Sequence, residues 1–347
     1  MPTPNSAPVR IGIIGAGGFM HTHMDSFAEI PDAEIVAFCR RNETLLNEAA
    51  DTYGIEHRFT NYRDMLNMDR LDAVAIITPT GSHKQIALDA IAAGKHVLCE
   101  KPLALVASDA KEMLDAAEAA GVVHATNFNW RGRTPVGQMK QHMDSGYIGQ
   151  LFHANIWWGQ THASEDRPYV APWRFKAEDG GGPVYELIHV FDMARLIGGE
   201  IKRVCALLTT AVPYRTFACS EEVEVDVPDS GGYLLEWIDG GYAVVHTSFV
   251  SKGEDPDGRT NPRIEISGSQ GRLENFGKTG IKGVHGISGV LQDVDPGPEY
   301  PQPYRQFIDA ILTGTPVRTS FYDGMKAAEI VDAIVLSSKE ARWVDLN

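Results

Sequence analysis

The chain has 347 residues, of which 43% are hydrophobic and 22% charged, a composition typical of a globular protein long enough for two domains. The 46 Asp and Glu residues outnumber the 31 Lys and Arg residues, and the resulting net charge of −15 argues against nucleic acid and anionic membranes as partners. The four cysteines form no C-x-x-C pair, and no apolar run approaches the roughly 20 residues of a membrane span. We therefore expect no metal site, no membrane partner and a cytoplasmic location.

The first third of the chain alternates between Val- and Ile-rich runs and helix-like stretches. Strands are predicted at Val9 to Ile14, Glu34 to Cys39, Ala73 to Ile77, His96 to Cys99 and Val122 to Ala125. Helices are predicted at about 18–30, 42–53, 83–93 and 107–120, the third beginning at a capping-box pattern, Ser82-x-x-Gln85. This alternation predicts a doubly wound parallel sheet covered by helices on both faces.

After about residue 128 the pattern changes to aromatic and β-branched runs. They lie at 151–158, 202–210, 231–238, 241–249, 263–267 and 272–276, with hairpin turns at Asp239-Gly240 and 268–271. Residues 277–303 are rich in Gly and Pro and contain no predicted element, and two helices follow at about 304–313 and 320–340. We predict an α/β chain with a dinucleotide-binding domain at 1–127 and a second domain at 128–347, whose sheet is mostly antiparallel. The helix at about 320–340 is expected to pack back on the first domain.

A glycine-rich loop joins the first predicted strand to the first helix. Gly15 permits the tight turn, and Gly17 lets the backbone approach a pyrophosphate at the helix N-terminus. Gly18 and Phe19 follow, and Met20 takes the third glycine position of the fingerprint, a change that bears on helix packing more than on phosphate contact. The five residues are candidate cofactor contacts.

The residues after the second strand indicate which dinucleotide is bound. An acid there would accept hydrogen bonds from the ribose 2′-hydroxyl of NAD, but the chain has Arg40 and Arg41. Two guanidinium groups suit a 2′-phosphate, so NADP is favoured, with NAD as the alternative. Two solvated arginines at a strand end, with no role in binding, are the alternative.

Polar residues also follow the next two strands. Thr78, Thr80 and His83 come after Ile77, and Glu100 and Lys101 come after Cys99. Because ligands of open α/β sheets bind at the carboxyl ends of the strands, these residues are candidate contacts for the nicotinamide end of the cofactor. A lysine there can hydrogen-bond a substrate hydroxyl and favour its deprotonation, and Glu100 could orient the lysine or the ribose. A salt-bridged pair at a strand end is the alternative.

A polar stripe is predicted on the helix that begins near Pro183, after three glycines. At about 100° per residue, one side of this helix collects Tyr185, Glu186, His189 and Asp192. Surface helices favour Lys and Glu more than His and Tyr, so the stripe is a candidate site. Solvent exposure is the alternative.

The sequence resembles the Gfo/Idh/MocA oxidoreductases, the family of glucose-fructose oxidoreductase and inositol dehydrogenase. The stretches that carry the resemblance are GIIGAGGFM, TPTGSH, AGKHVLCEKPLA, FNWR, PWRF, GGGPVYELIHVFDMARLIGG and SSKEARWV. The resemblance implies an N-terminal Rossmann domain, a second α/β domain with a large open sheet, NAD or NADP bound between them, and a sugar-like or polyol substrate. It also implies a cis Lys101–Pro102 bond and a homo-oligomer, dimer or tetramer, formed through the sheet face.

The family pattern also implies residue roles. His189 matches a histidine that acts as acid/base partner of the E-K-P lysine, here Lys101. Many members carry an aspartate four residues before that histidine, where this chain has Tyr185 with Glu186 beside it, and either is a candidate partner of His189.

Further positions come from the second domain. Asn129 and Arg131 match an N-x-R segment, and Trp173 and Arg174 match a W-R pair that approaches the cofactor. The candidate substrate contacts are Arg131, Trp158, Tyr185 and Asp192, with core packing as the alternative for Trp158.

The leading functional hypothesis is an NAD(P)-dependent dehydrogenase or reductase that transfers a hydride between nicotinamide and a sugar, polyol or related compound. One alternative is a redox-neutral glycoside-cleaving enzyme of the same fold, and another is a non-catalytic regulator that binds the dinucleotide. The substrate itself cannot be named from the residues.

Overall fold

The structure is a computed structural model of the protein, and it describes residues 7–15, 19–132, 135–161, 172–177, 180–216, 222–252, 261–276, 280–287, 289–295, 297 and 300–346. The chain forms two compact units. The first unit comprises residues 1–128 and 301–328, and the second comprises residues 129–300 and 329–347.

The first unit contains the predicted parallel sheet, with six strands. They are β1 (Val9–Ile14), β2 (Ala33–Cys39), β3 (His57–Phe59), β4 (Ala73–Ile76), β5 (His96–Cys99) and β6 (His124–Thr126), in the order β3-β2-β1-β4-β5-β6. Every neighbouring pair runs parallel. The strand order reverses at β1, and in open α/β sheets such a switch point is where ligands bind.

Helices cover both faces of this sheet. They are α1 (Met20–Ala28), α2 (Glu43–Tyr53), α3 (Tyr62–Leu66), α4 (His83–Ala92), α5 (Ala107–Ala120) and, later in the chain, α9 (Pro303–Thr313). Because side chains alternate across a strand, Ile13 belongs to the core beneath α1 and α9, while Ile76 belongs to the core beneath α4 and α5. Strands that are buried on both faces have continuous apolar sequences, which explains the pattern seen in the first third of the chain.

The start of α4 differs from the predicted capping box. A single turn of 3-10 helix, Thr80–Ser82, precedes α4 and leaves Ser82 with helical backbone angles (φ −101°, ψ −7°). A capping residue needs extended backbone, so Ser82 does not cap α4. Its hydroxyl oxygen instead lies 2.8 Å from both Thr78 Oγ1 and the Pro79 carbonyl oxygen, and thereby braces the turn that follows β4.

The second unit contains the predicted, mostly antiparallel sheet, with nine strands. They are β7 (Leu151–Gly159), β8 (Ile201–Thr209), β11 (Ser230–Trp237), β12 (Tyr242–Ser248), β13 (Arg263–Gly268), β14 (Gly271–Phe276), β15 (Gly280–His285), β16 (Gln292–Asp293) and β17 (Val344–Asp345). Their order is β16-β15-β14-β13-β7-β12-β11-β8-β17, and among the described pairs only β7 and β12 run parallel. Two short strands, β9 (Tyr214–Thr216) and β10 (Glu222–Glu224), pair separately.

The predicted hairpin turns at 239–240 and 268–271 connect β11 to β12 and β13 to β14. The prediction of no element in 277–303 is wrong, because β15 and β16 lie there. β15 was not predicted because it contains glycine, which is unfavourable in strands, and the packing of a neighbouring side chain explains why glycine is present. A Cβ on Gly283 would lie 2.4 Å from the Tyr147 hydroxyl, so a close approach of side chain to backbone requires glycine within this strand.

One face of the nine-stranded sheet carries helices. The remaining helices are α6 (Val136–Asp144), α7 (Pro183–Glu186), α8 (His189–Gly198) and α10 (Phe321–Glu340). Trp237 Nε1 donates to the Ala194 carbonyl of α8 at 3.1 Å, which fixes this helix against β11. Helix α10 begins among residues of the first unit, where Phe321 joins the core, and ends in the second, where Ser337 Oγ accepts the Ala206 N–H of β8 at 2.9 Å. Across the described residues, no helix combines the length and apolarity that a membrane crossing requires.

Candidate functional site

The carboxyl edge of the six-stranded sheet carries the predicted glycine turn. Gly15 has φ +102°, and its N–H donates to the Cys39 carbonyl at 2.9 Å. A Cβ at this position would lie 2.8 Å from backbone atoms of Ile77 and Thr78, so the turn can approach β4 only as glycine. Gly17 and Gly18 lie outside the described residues.

Phe19 and Met20 have different surroundings. Phe19 is exposed at the start of α1, at the same edge as Gly15, and is open to a ligand. Met20 is buried in the core beneath α1, which is consistent with a packing role at the third fingerprint position.

Arg40 and Arg41 directly follow β2, beside the glycine turn. The Arg40 N–H donates to the Phe59 carbonyl at 3.0 Å, and Arg41 is exposed. Asn42 caps the next helix by accepting the Leu45 N–H at 3.0 Å. Both arginines therefore stand at the start of a helix at the carboxyl edge of the sheet, where their charge suits a phosphate group.

His83 joins two turns of this edge. Its Nδ1 lies 2.9 Å from the Pro102 carbonyl and its Nε2 lies 2.8 Å from the Thr78 carbonyl, and the ring is buried. Burial lowers the pKa of His83, against the effect of the two carbonyl groups. Both ring nitrogens thus face the protein backbone, so the geometry supports His83 as a link between the turns after β4 and β5. Thr80 is also buried, whereas Thr78 is half-buried.

Glu100 is the centre of a buried polar network. Its Oε1 lies 2.9 Å from His23 Nε2 and accepts the Asn127 Nδ2 donor at 2.6 Å, while its Oε2 accepts the Lys101 N–H at 3.1 Å. Burial raises the pKa of Glu100, but the hydrogen bond and charge of His23, the charge of Lys101 and the Asn127 hydrogen bond outweigh it and bring the pKa to about 2. The carboxylate is therefore ionised at neutral pH.

Lys101 is half-buried, and the Lys101–Pro102 peptide bond is cis, as the resemblance implied. The next two residues, Leu103 and Ala104, are buried in the core beneath α4 and α5. The peptide that carries Lys101 is thus held on one side by the Glu100 carboxylate and on the other by apolar packing.

Three members of this network were missed in the sequence: His23, Asn127 and Tyr304. Tyr304 Oη accepts from Asn127 Nδ2 at 2.8 Å, and its ring packs edge-on against His23 with centroids 5.3 Å apart. Asn127 follows β6, so the strand-end rule could have found it. His23 shares the buried face of α1 with Met20 and Phe27, and a polar residue in that stripe was the available signal.

In the second unit, His189 begins α8 and is buried. The indole of Trp158 lies with its centroid 6.1 Å from the imidazole, and that of Trp130 lies 6.3 Å away. The two indoles contact each other at 4.7 Å and 66°. His189 is therefore packed against two aromatic rings, of which Trp158 is buried in β7 and Trp130 is half-buried.

The charged residues of the predicted polar stripe form ion pairs. The Arg131 guanidinium donates to both oxygens of Asp192, at 2.8 and 2.6 Å, and Arg174 pairs with Glu186. Burial lowers the pKa of Arg174. Because Glu186, His189 and Asp192 are all buried, the stripe is not a solvent-exposed face.

The other predicted residues of this unit lie around these pairs. Tyr185 is half-buried, and burial raises its pKa. Asn129 begins the 3-10 turn Asn129–Gly132 that carries Trp130 and Arg131. Trp173 lies in the turn Pro172–Phe175, and its side chain falls outside the described part of the chain.

Comparison with known proteins gives two family matches. Residues 9–128 match the GFO/IDH/MocA oxidoreductase family model, described as an NAD-binding Rossmann fold. Residues 136–274 match the GFO/IDH/MocA C-terminal domain.

Individual relatives cover most of the chain. A levoglucosan dehydrogenase of Pseudarthrobacter phenanthrenivorans is 28% identical over 97% of this chain and 98% of its own. A 1,5-anhydro-D-fructose reductase of Ensifer adhaerens is 32% identical over 76% of this chain and 74% of its own. A solved structure of a levoglucosan dehydrogenase in complex with NADH superposes with a TM-score of 0.88 at 28% identity, covering 98% of this chain and 99% of the other. With both of its units matched, the chain belongs to the GFO/IDH/MocA family of oxidoreductases.

Proposed function

We propose that this protein is an NADP-dependent dehydrogenase that interconverts a hydroxyl and a carbonyl group on a sugar, polyol or related compound. The observation that carries the proposal is the ionised Glu100 and the peptide of Lys101 at the carboxyl edge of the parallel sheet, where open α/β sheets bind their ligands. The named relatives act on sugars or related compounds, which supports the substrate class.

The dinucleotide fits the residues present at this edge. Gly15 brings the backbone close to β4 without a side chain, and the exposed Arg41 with Arg40 offers positive charge at the start of the next helix. When bound, nicotinamide would accept the hydride from the substrate carbon or return it. Arg40 and Arg41 would contact the 2′-phosphate, and Thr78 and Glu100 would contact the nicotinamide end.

Lys101 and His189 are our proposed acid/base groups. In the oxidative direction, the Lys101 ammonium would hydrogen-bond the substrate oxygen and stabilise the charge that develops on it as its proton leaves. The imidazole of His189 would receive that proton. Since Glu186 pairs with Arg174, we propose Tyr185 rather than Glu186 as the polar neighbour that orients the substrate beside His189.

Arg131 and Asp192 were expected to contact the substrate, but each is buried in their mutual ion pair. We propose that this pair instead positions Trp130 and His189, because Arg131 follows Trp130 directly and Asp192 lies one turn after His189 in α8. Trp130, which is half-buried, would then pack against the C–H face of a sugar ring.

The test is a panel of sugars, inositols and glycosides with NADP and NAD in parallel, read at the absorbance of the reduced cofactor. We expect turnover with NADP that is lost in both Lys101→Ala and His189→Ala. Cleavage of a glycoside without accumulation of reduced cofactor would favour the redox-neutral alternative. Tight dinucleotide binding with an intact biological effect in Lys101→Ala would favour the regulator.

Cofactor choice has its own experiment. Arg40→Ala and Arg41→Ala should raise the KM for NADP about tenfold or more while leaving the KM for NAD nearly unchanged, because only NADP carries the 2′-phosphate. Equal effects on both cofactors would refute the assignment to the phosphate.

We also propose a homo-oligomer formed through an exposed face of the nine-stranded sheet. Leu207, Leu234, Tyr242 and Val244 share that face by strand register and are 65%, 40%, 48% and 40% exposed. Contiguous exposed apolar residues on a sheet favour burial against another surface, and a second copy of the chain is the simplest one.

A further inference from the structure

His23 is a buried titratable residue that the proposed chemistry does not use. It lies in α1, 77 residues before Glu100 in the chain, and only 1% of its surface is exposed. His23 belongs neither to the glycine fingerprint nor to the E-K-P motif, so neither motif explains why a histidine stands at this position.

The surroundings of His23 fix its ring. Its Nε2 lies 2.9 Å from Glu100 Oε1, and the imidazole packs against the Tyr304 ring with the two ring planes at 83°. Tyr304 is itself held by Phe27, with centroids 5.1 Å apart, and by the Asn127 amide. The imidazole therefore has one orientation in which it can meet the carboxylate.

In the contact between His23 and Glu100, the histidine is the hydrogen-bond donor. The Glu100 carboxylate is ionised and already accepts from Asn127 and from the Lys101 N–H, so only an Nε2–H of His23 completes the contact as a hydrogen bond. Among the described residues, His23 Nδ1 has no hydrogen-bond partner.

His23 also contributes most to keeping Glu100 charged. Burial alone would favour the neutral carboxyl, and the His23 hydrogen bond is the largest of the opposing effects. A neutral Glu100 would have one oxygen carrying a proton and would be a weaker acceptor for the Lys101 peptide.

We propose that His23 is a positioning residue for Lys101: by donating from Nε2 to Glu100 Oε1, it sets the orientation of the carboxylate whose other oxygen holds the Lys101 N–H. The inference rests on the proposed function, because it assigns His23 to the support of the lysine that contacts the substrate. His23 itself touches neither substrate nor cofactor in this assignment.

The test compares His23→Gln with His23→Asn. A glutamine amide reaches the place of Nε2, whereas an asparagine amide reaches only the place of Nδ1. We expect His23→Gln to keep most of the activity and His23→Asn to lose about 10- to 100-fold in kcat, the value of one hydrogen bond to a charged group. His21→Asn is the matched control, since His21 lies on the exposed face of the same helix and should have wild-type activity.

The pH dependence separates positioning from a loss of structure. In His23→Asn the activity relative to wild type should fall further between pH 8 and pH 5, as Glu100 takes up a proton in that variant. The 13C resonance of the Glu100 carboxyl, assigned by its loss in Glu100→Gln, should titrate in this range in His23→Asn and stay ionised in wild type. A relative activity that does not vary with pH, together with an unshifted resonance, overturns the inference.

Two outcomes keep this inference distinct from the proposed function. If no sugar or polyol is turned over, the proposed function fails, while the Glu100 resonance still reports on the network. If His23→Asn does not fold, side-chain 15N spectra of the wild-type protein decide at pH 8. A proton on Nε2 of His23 supports the inference, and a proton on Nδ1 overturns it.

Discussion

Asp192→Ala is expected to be strongly destabilising, because it removes the carboxylate from a buried ion pair. The Asp192 side chain is 1% exposed and that of Arg131 is 8% exposed, and two hydrogen bonds of 2.8 and 2.6 Å join them. The variant would leave the guanidinium in the same buried place without this counter-charge.

The expected cost follows from that burial. Removing one partner of a buried pair typically costs about 3–5 kcal/mol of unfolding free energy, a large part of the ~5–15 kcal/mol that stabilises most proteins. The exposed pair Lys111–Asp115 on α5, with side chains 62% and 58% exposed, is the matched control. Asp115→Ala should cost only about 0.3–0.5 kcal/mol, as for other i,i+4 helix pairs.

Urea unfolding followed by tryptophan fluorescence measures these differences. The single variants Arg131→Leu and Asp192→Leu together with the double leucine variant form a double-mutant cycle, and the double variant should be more stable than the sum of the two single losses predicts. The reasoning is refuted if Asp192→Ala costs no more than Asp115→Ala, or if the cycle is additive.

Three further predictions concern the first unit and the sheet face. Gly15→Ala should lower the melting temperature more than Gly54→Ala. Both glycines have positive φ, but of the two only Gly15 has backbone atoms 2.8 Å from the added Cβ. Equal decreases in melting temperature would contradict this. Glu100 has a folded-state pKa of about 2, below its ordinary 4.5, so its stabilising effect is present above pH 4.5 and lost as the pH falls toward 2. The advantage of wild type over Glu100→Gln in unfolding free energy, at most about 3 kcal/mol, should therefore shrink between pH 5 and pH 3 in urea titrations, and a constant difference would count against it. Leu234→Glu should reduce the mass measured by light scattering to that of a single chain if the sheet face joins subunits, and an unchanged mass would place the interface elsewhere.

The local patterns of the sequence were sufficient for the class of each sheet, parallel in the first unit and mostly antiparallel in the second, but not for every strand. Continuous apolar runs separated by helical stretches predicted the parallel sheet, and alternating runs with Asp-Gly and Gly-x-x-Gly turns predicted the antiparallel one. These patterns are readable because the period of a strand or helix is set by backbone geometry within a few residues. The strands β15 and β16 were not predicted, because their formation depends on contacts with other parts of the chain. β15 pairs along β14 and contains a glycine, which the close approach of Tyr147 requires.

The strand-end rule likewise predicted that Gly15, Thr78 and Glu100 lie at one edge of the sheet, because parallel strands all end on the same side. It could not say what holds Glu100. His23 and Asn127 reach this carboxylate from 77 and 27 residues away, and such partners leave no periodic signal.

The polar stripe of α7 and α8 shows the same division. Helical spacing placed Glu186, His189 and Asp192 on one side, but the spacing is identical for a solvated face and for a buried one. Only the folded chain brings Arg174 to Glu186 and Arg131 to Asp192, across 61 residues in the second case, and so buries the stripe. The sequence by itself determined the elements, their periodicities and the sheet edge at which polar residues collect. The tertiary structure decided which charges are paired and buried, because burial and hydrogen bonding depend on neighbours that are close in space and distant along the chain.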